Sequence, residues 1–151
     1  MILLDTNVVS EPMRVKPDRN VLAWIDAQAA ESLYLSTVSL AELLLGIESL
    51  PAGKRRKALA AALDREIIAL FGERIAPFDL RAAEAYAMVV TRARRHGHPI
   101  GVADAQIAAI AASRQFSVAT RDEAPFQAAG IAVINPWTAM PEAERGTRRR
   151  G

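Results

Sequence analysis

The sequence predicts an α/β fold in which helices cover both faces of a short parallel sheet. Short apolar runs that end in small or polar residues alternate along the chain with longer amphipathic helical patterns. This alternation is typical of parallel sheets, because parallel strands are joined by crossover helices. With 151 residues, of which 51% are hydrophobic, the chain has the size of one ordinary domain and can bury a core without disulfides.

The first strand covers residues 2–4 and ends at Asp5. An apolar run this short at the start of a chain is most simply a buried strand that delivers Asp5 to an edge of the sheet. A short helix is predicted to follow as far as residue 14, and Asp18 is a good N-cap for the next helix. Residues 33–35 form the second strand.

Two helices follow the second strand. The first carries Glu42 in its first turns and ends before Pro51 and Gly53, which cannot continue it. The next helix opens on the basic residues 54–57 and packs through one apolar face. That predicted face comprises Leu59, Leu63, Ile67 and Leu70.

The second half of the chain alternates in the same way. A weak strand candidate over residues 74–78 precedes a helix that is capped by Asp79. The predicted inward face of this helix comprises Leu80, Ala83, Ala87 and Val90. The remaining elements are an Ala-rich helix over residues 100–113, a strand over 117–120, a short helix over 123–129 and a strand over 131–134.

Residues 1–138 are predicted to form this domain, and residues 139–151 a flexible basic tail. The net charge is only +2, but the pI near 9.4 reflects positive charge gathered at residues 54–57, 92–95 and 148–150. Such patches suit a polyanionic partner. The alternative is that they are solvated helix faces and a floppy tail.

The composition excludes several classes of protein. The chain has no Cys, which excludes a disulfide framework, a thiolate nucleophile and a Cys-type zinc site. The N-terminus lacks the basic segment and the long apolar segment of a secretory signal, and charges interrupt every apolar stretch before membrane-spanning length. We therefore expect a cytoplasmic protein without a membrane partner.

Four acidic residues are predicted to meet at the edge of the sheet where ligands bind, namely Asp5, Glu42, Asp104 and Asp122. Two of them directly follow strands and two lie in the first turns of helices. Asp104 shares an inward helix face with Ile107 and Ala108, so its carboxylate must be neutralised, paired or metal-bound. Two carboxylates about 4 Å apart repel by roughly 4 kcal/mol, so a cation or protons must share such a site.

Each acid also has a purely structural interpretation. Asp5 and Asp122 fit the N-caps of the helices that follow them. Ser39 and Glu42 have the spacing of a capping box. Asp104 is favoured at the positive end of its helix dipole.

An all-oxygen ligand set without Cys favours Mg²⁺ or Mn²⁺ over zinc. Mg²⁺ held by acids is most useful in phosphoryl chemistry, where it lowers the pKa of a bound water and offsets charge in the transition state. Together with the basic patches, this indicates a nuclease. A phosphatase with an aspartate nucleophile is the alternative, and it fares worse because Asn7 stands where that class carries its second Asp.

Four ordered motifs and the ending of the chain carry a family resemblance. They are residues 3–7, residues 36–43 with Gly46, residues 103–109, residues 119–122 with Phe126, and the Asn-Pro-Trp ending at residues 135–137. With them the chain resembles the PIN-domain ribonucleases, in particular the VapC toxins of VapBC-type and FitAB-type toxin–antitoxin pairs. The ending looks like that of the FitB-like branch.

The resemblance implies a three-layer α/β/α sandwich with a short parallel sheet and a Mg²⁺ or Mn²⁺ site at its edge. The implied metal ligands and catalytic residues are Asp5, Glu42, Asp104 and Asp122, with Glu123 as the alternative to Asp122. The residues implied to orient carboxylates or water are Thr6, Asn7, Ser39 and Thr120. The implied reaction is hydrolysis of RNA phosphodiester bonds by a metal-activated water.

The resemblance also implies partners. It implies a homodimer and a small antitoxin whose helix covers the crevice and whose basic side chain enters the acidic site. The two proteins together form a heterotetramer or a larger complex, and operator DNA is bound only through the antitoxin. The alternative function is a PIN-like module that binds nucleic acid or a partner without cutting.

Overall fold

The computed structural model describes residues 1–139. Its strands are β1 (Ile2–Leu4), β2 (Leu33–Ser36), β3 (Ile75–Ala76), β4 (Ser117–Ala119) and β5 (Val133–Ile134). Its helices are α1 (Thr6–Ser10), α2 (Arg19–Asp26), α3 (Thr37–Glu48), α4 (Lys54–Ala62), α5 (Ala69–Phe71), α6 (Leu80–Arg95), α7 (Val102–Arg114) and α8 (Glu123–Ala128). From residue 140 onward, the predicted basic tail lies outside the described residues. Within residues 1–139, no helix is both long enough and apolar enough to cross a membrane.

All five of these strands run in one direction, in the order β3-β2-β1-β4-β5. The central strand is β1, whose Leu3 is in register with Tyr34 of β2 and Val118 of β4. The C-terminal ends of these strands therefore share one edge of the sheet. Asp5 and Thr120, which directly follow β1 and β4, are brought to that edge.

Helices cover both faces of the sheet, which confirms the predicted α/β/α architecture. Successive residues of a strand point to opposite faces. Leu3 and Val118 belong to a core shared with α6, α7 and α8, whereas Leu4 and Ala119 belong to a second core shared with α1, α2 and α3. The short first strand is thus buried on both sides, as its apolar run predicts.

The apolar face predicted for the helix that opens on the basic cluster is partly wrong. Leu63 is buried and the predicted positions before and after it are partly buried, but Leu70 is 63% exposed and Phe71 takes the inward place. The cause is a π-helical stretch over Leu63–Ile68 between α4 and α5. Its wider turns shift the following residues by one position around the helix.

The inward face predicted for α6, comprising Leu80, Ala83, Ala87 and Val90, is also wrong. The buried residues are Ala82, Val89 and Ala93, and Leu80 is 74% exposed. This helix has apolar residues on more than one side, so its periodicity alone does not decide which side packs. The side with small residues faces the Ala-rich α7, because Ala82 and Ala93 permit a close approach.

Three strands are shorter than predicted, and the one over residues 117–120 loses only its last residue. The candidate over residues 74–78 is reduced to Ile75–Ala76, because Arg74 closes a 3₁₀ turn and its guanidinium donates to the carbonyls of Leu33 (2.8 Å) and Leu70 (2.7 Å). The strand over residues 131–134 is reduced to Val133–Ile134, since Ile131 donates its N–H to the carbonyl of Phe126 at the end of α8 (3.0 Å).

Candidate active site

The acidic residues predicted from the sequence lie around the C-terminal edge of the sheet. Asp5 directly follows β1, Glu42 lies in α3, Asp104 lies in the first turn of α7 and Asp122 directly precedes α8. They are near enough to interact: burial first, and then the negative charges of Asp5, Glu42 and Asp122, raise the pKa of Asp104 to about 6. Asp104 reaches this place although no strand precedes its helix, because α7 packs against α3 and α6.

Asp5 is the most constrained of the four acids. Its side chain is almost fully buried, with 5% of the residue exposed. Its carboxylate accepts hydrogen bonds from the Thr6 N–H (2.8 Å), the Asn7 side-chain amide (3.1 Å) and the Thr120 hydroxyl (2.8 Å). Burial raises the pKa of Asp5, and the charge of Glu42 adds to this, while the three hydrogen bonds oppose it. Asp5 is thus the N-cap of α1 and a member of the acidic cluster at once.

Glu42 does not form the capping box that its spacing allows. The N-cap of α3 is Ser36, whose hydroxyl oxygen accepts from the Ser39 N–H (2.8 Å). Glu42 instead accepts a short hydrogen bond from the Thr6 hydroxyl, which ties the start of α1 to α3. The Ser39 side chain is buried and bonded to the Ser36 hydroxyl (3.0 Å), on the inner side of the first turn of α3.

The adjacent acids Asp122 and Glu123 have different surroundings. Within residues 1–139, the Asp122 side chain makes no capping hydrogen bond, and its charge acts on Asp104. The Glu123 carboxylate accepts from the side-chain amides of Asn135 (2.8 Å) and Gln127 (3.2 Å). Glu123 therefore ties α8 to the residue that directly follows β5. The role of Asn135 in this tie is a contact that spacing in the sequence does not reveal.

The acidic cluster has an excess of negative charge. In the part of the chain that the structure describes, the ion pairs are Arg14–Glu11, Arg56–Glu48 and Arg114–Asp79, and none of them includes an acid of the cluster. Burial is the main cause of the raised pKa of Asp104, and the excess negative charge adds to it, because a carboxyl group among other carboxylates retains its proton more tightly. Such a site favours a divalent cation.

The side chains do not form a closed metal cage as they stand. Within residues 1–139, no three acidic or His side chains converge closely enough to hold an ion. The Thr6 hydroxyl holds the Glu42 carboxylate in a hydrogen bond of its own. The donor chemistry nevertheless fits a hard divalent ion, because all four acids offer oxygen ligands and the chain contains no Cys.

The fold and this site together define a class: an α/β/α protein with an acidic, oxygen-donor centre at the C-terminal edge of a parallel sheet. The family model described as "PIN domain" matches residues 2–131. The chain belongs to the PIN-domain family, and its relatives place it in the VapC group of that family.

Three comparisons illustrate this membership. The chain is 51% identical to the VapC ribonuclease Y4jK of Sinorhizobium fredii, covering 91% of this chain and 98% of the relative. It is 47% identical to toxin FitB of Neisseria gonorrhoeae, covering 91% and 99%. The structure of FitAB bound to the IR36 DNA fragment matches with a TM-score of 0.90 and 44% identity, covering 94% of this chain and 99% of that one. The resemblance found in the motifs is thereby confirmed.

Proposed function

We propose that this protein is a Mg²⁺-dependent endoribonuclease and the toxin of a type II toxin–antitoxin pair. The observation that carries the proposal is the cluster of Asp5, Glu42, Asp104 and Asp122 at the edge of a PIN-domain sheet, which no ion pair within residues 1–139 neutralises. The identity to a VapC ribonuclease over nearly the whole chain supports the choice of RNA as substrate. The protein is then a hydrolase that acts on phosphodiester bonds in the cytoplasm, where RNA is found.

The four acids would hold Mg²⁺, and Mn²⁺ suits the same oxygen donors. When bound, the ion lowers the pKa of a water molecule and offsets charge that develops on the phosphodiester. The surroundings of Glu123 support Asp122 as the fourth acid, because both oxygens of Glu123 already accept hydrogen bonds. Asp122, by contrast, acts on Asp104.

Other residues of the chain orient the acids. Thr120 and Asn7 direct one oxygen of Asp5, and the Thr6 N–H directs the other. The Thr6 hydroxyl fixes Glu42. Ser39 acts indirectly: its hydrogen bonds with the Ser36 hydroxyl stabilise the first turn of the helix that carries Glu42. Partners of this kind raise metal affinity by fixing ligands before the ion arrives.

Replacing Thr120 with Val tests this orienting role. The Thr120 hydroxyl donates to Asp5 (2.8 Å) and accepts from the Asp122 N–H (3.1 Å), and Val keeps its shape without the hydroxyl. We expect RNA cleavage to fall about tenfold and the free energy of unfolding to fall by about 1 kcal/mol. Initial rates and urea titrations measure both, with the exposed Thr91→Val as the matched control. Full activity in Thr120→Val contradicts the role.

The partners follow from the same proposal. The FitAB structure is that of a complex bound to a DNA fragment. By analogy, we propose a small antitoxin that covers the acidic crevice, with a basic side chain that offsets the excess negative charge. The toxin forms a homodimer within a heterotetramer or a larger complex, and it meets operator DNA only through the antitoxin. Residues 1–138 constitute the nuclease domain and residues 139–151 the basic tail.

Metal removal is the direct test of the function. Purified protein without antitoxin is incubated with end-labelled RNA in Mg²⁺, with and without EDTA. The Glu73→Gln variant, which removes an acid far from the cluster, should behave like the wild type. Glu73 is exposed and precedes β3, at the edge where the strands begin. We expect internal cleavage that EDTA abolishes and that added Mg²⁺ restores. RNA binding without EDTA-sensitive cleavage instead supports a PIN-like module that binds nucleic acid or a partner without cutting.

A further inference from the structure

Arg121 lies at the acidic edge of the sheet. It stands between Thr120, which donates to Asp5, and Asp122, which acts on Asp104. The Arg121 N–H points to the side-chain oxygen of Asn7 (3.4 Å), and the amide of Asn7 in turn donates to Asp5 (3.1 Å). The backbone of Arg121 is therefore held in a fixed position relative to Asp5, while its side chain is exposed.

The guanidinium of Arg121 rests on an aromatic ring. It lies over Trp137, 5.3 Å from the ring centroid, and the ring packs against the core that contains Leu4. Trp137 is held at both backbone ends: its N–H donates to the side chain of Asn135 (3.0 Å), and its carbonyl accepts from the side chain of Asn20 (3.1 Å). The backbone of Trp137 is thus held on both sides of a ring that is partly buried against the core.

This arrangement keeps the Arg121 charge out of ion pairs. None of the ion pairs within residues 1–139 includes Arg121, although Asp122 is its neighbour in the chain. A guanidinium that stacks on an aromatic face keeps its N–H donors directed outward in its own plane. Among the residues that the structure describes, no acid takes up these donors, so they can meet an anion that approaches the acidic edge.

An RNA substrate needs such a group at this place. The four carboxylates of the site repel the phosphates on either side of the bond that is cut. A cation beside the cluster offsets this repulsion, and the planar fork of Arg matches two oxygens of one phosphate. Arg121 is a basic residue that directly precedes Asp122, a member of the cluster.

We propose that Arg121, supported by Trp137, binds a backbone phosphate of the RNA next to the bond that is cut. This inference rests on the proposed function and assigns a substrate-binding role to a residue outside the acidic set. Trp137 is a positioning residue, since it acts through Arg121. Because one phosphate contact is involved, the contribution is to substrate binding and not to the chemical step.

Arg121→Gln and Arg121→Lys test the proposal in an Asp104→Asn background, which allows binding to be measured without cleavage. We expect Arg121→Gln to weaken binding of a short single-stranded RNA about tenfold. It should also reduce the slope of log affinity against log salt by about 0.7, the value for one phosphate contact. Arg121→Lys should keep the slope, because it keeps the charge. The exposed Arg65→Gln in the Leu63–Ile68 segment is the matched control.

Trp137→Leu distinguishes the contribution of the aromatic ring from that of the Arg121 charge. It should weaken RNA binding while leaving the salt slope unchanged, and fluorescence anisotropy measures both quantities. With Asp104 intact, Arg121→Gln should raise KM and leave kcat nearly unchanged, a division that a merely structural role does not produce. Equal salt slopes and equal KM for the wild type and Arg121→Gln overturn the inference. If the wild type still cuts RNA in an EDTA-sensitive manner, the proposed function survives that result.

Discussion

Replacing Asp104 with Asn is expected to reduce RNA cleavage by more than about a hundredfold, because loss of a proposed ligand should cost more than loss of a residue that only orients one. The amide keeps the shape of the side chain but removes a negative oxygen donor from the cluster. In metal-free buffer, the stability should be equal or higher. The charged form of Asp104 is disfavoured in the folded state by burial and by Asp5, Glu42 and Asp122.

Asp5→Asn provides a sharp comparison for this prediction. We expect the same loss of cleavage but a lower stability than in Asp104→Asn, because the Asp5 carboxylate accepts three hydrogen bonds that an amide cannot all accept. Initial rates on labelled RNA and thermal melts in EDTA measure the two effects, with Glu73→Gln as the control. An Asp104→Asn protein that cuts RNA at the wild-type rate removes Asp104 from the active site.

The stability of the metal-free protein is expected to fall as the pH rises toward neutrality. In the folded protein, burial and three neighbouring acids raise the pKa of Asp104 from 3.8 to about 6. The folded state therefore binds this proton more tightly than the unfolded state. The resulting stabilisation is fully present below pH 3.8 and is lost as the pH rises through about 6. After allowance for solvent screening, the loss should be roughly 1–2 kcal/mol.

Mg²⁺ should reverse this loss, because the ion and the proton compete for the same carboxylates. Near pH 7.5, Mg²⁺ at about 100 times its dissociation constant should add about 2.7 kcal/mol to the free energy of unfolding. Near pH 4.5, the same concentration should add much less. Urea titrations at both pH values, with and without Mg²⁺, measure the difference. Asp104→Asn should flatten the pH dependence, and an equal effect of Mg²⁺ at both pH values contradicts the linkage.

Local patterns in the sequence were sufficient for the architecture and for the positions of the acids along the chain. A short apolar run predicts a strand that is buried on both faces. The strands β1 and β4 confirm this prediction. Once the strands are parallel, their C-terminal ends must share an edge. Position in the sequence alone therefore predicts that Asp5 and Asp122 lie near one another.

The sequence predicts less well which side of a helix is buried when the helix carries apolar residues on several sides. Periodicity pointed to Leu80 on α6 and to Leu70 after α4, and both side chains are exposed. The π-helical stretch over Leu63–Ile68 and the close packing of α6 on α7 decided these cases. Neither feature has a signal in residue spacing, because each depends on what the helix packs against.

The sequence by itself determined the α/β class and the position of Asp5 directly after a buried strand, since these follow from periodicity and from the polar residue that interrupts it. Only the tertiary structure decided which groups those acids meet. The Thr6 hydroxyl donates a hydrogen bond to Glu42, and the Asn135 side-chain amide donates one to Glu123. The Arg121 guanidinium stacks on the Trp137 ring. Partners so far apart in the chain are joined by packing of the whole domain. Local spacing constrains a side chain's own element, but it carries no information about contacts between elements.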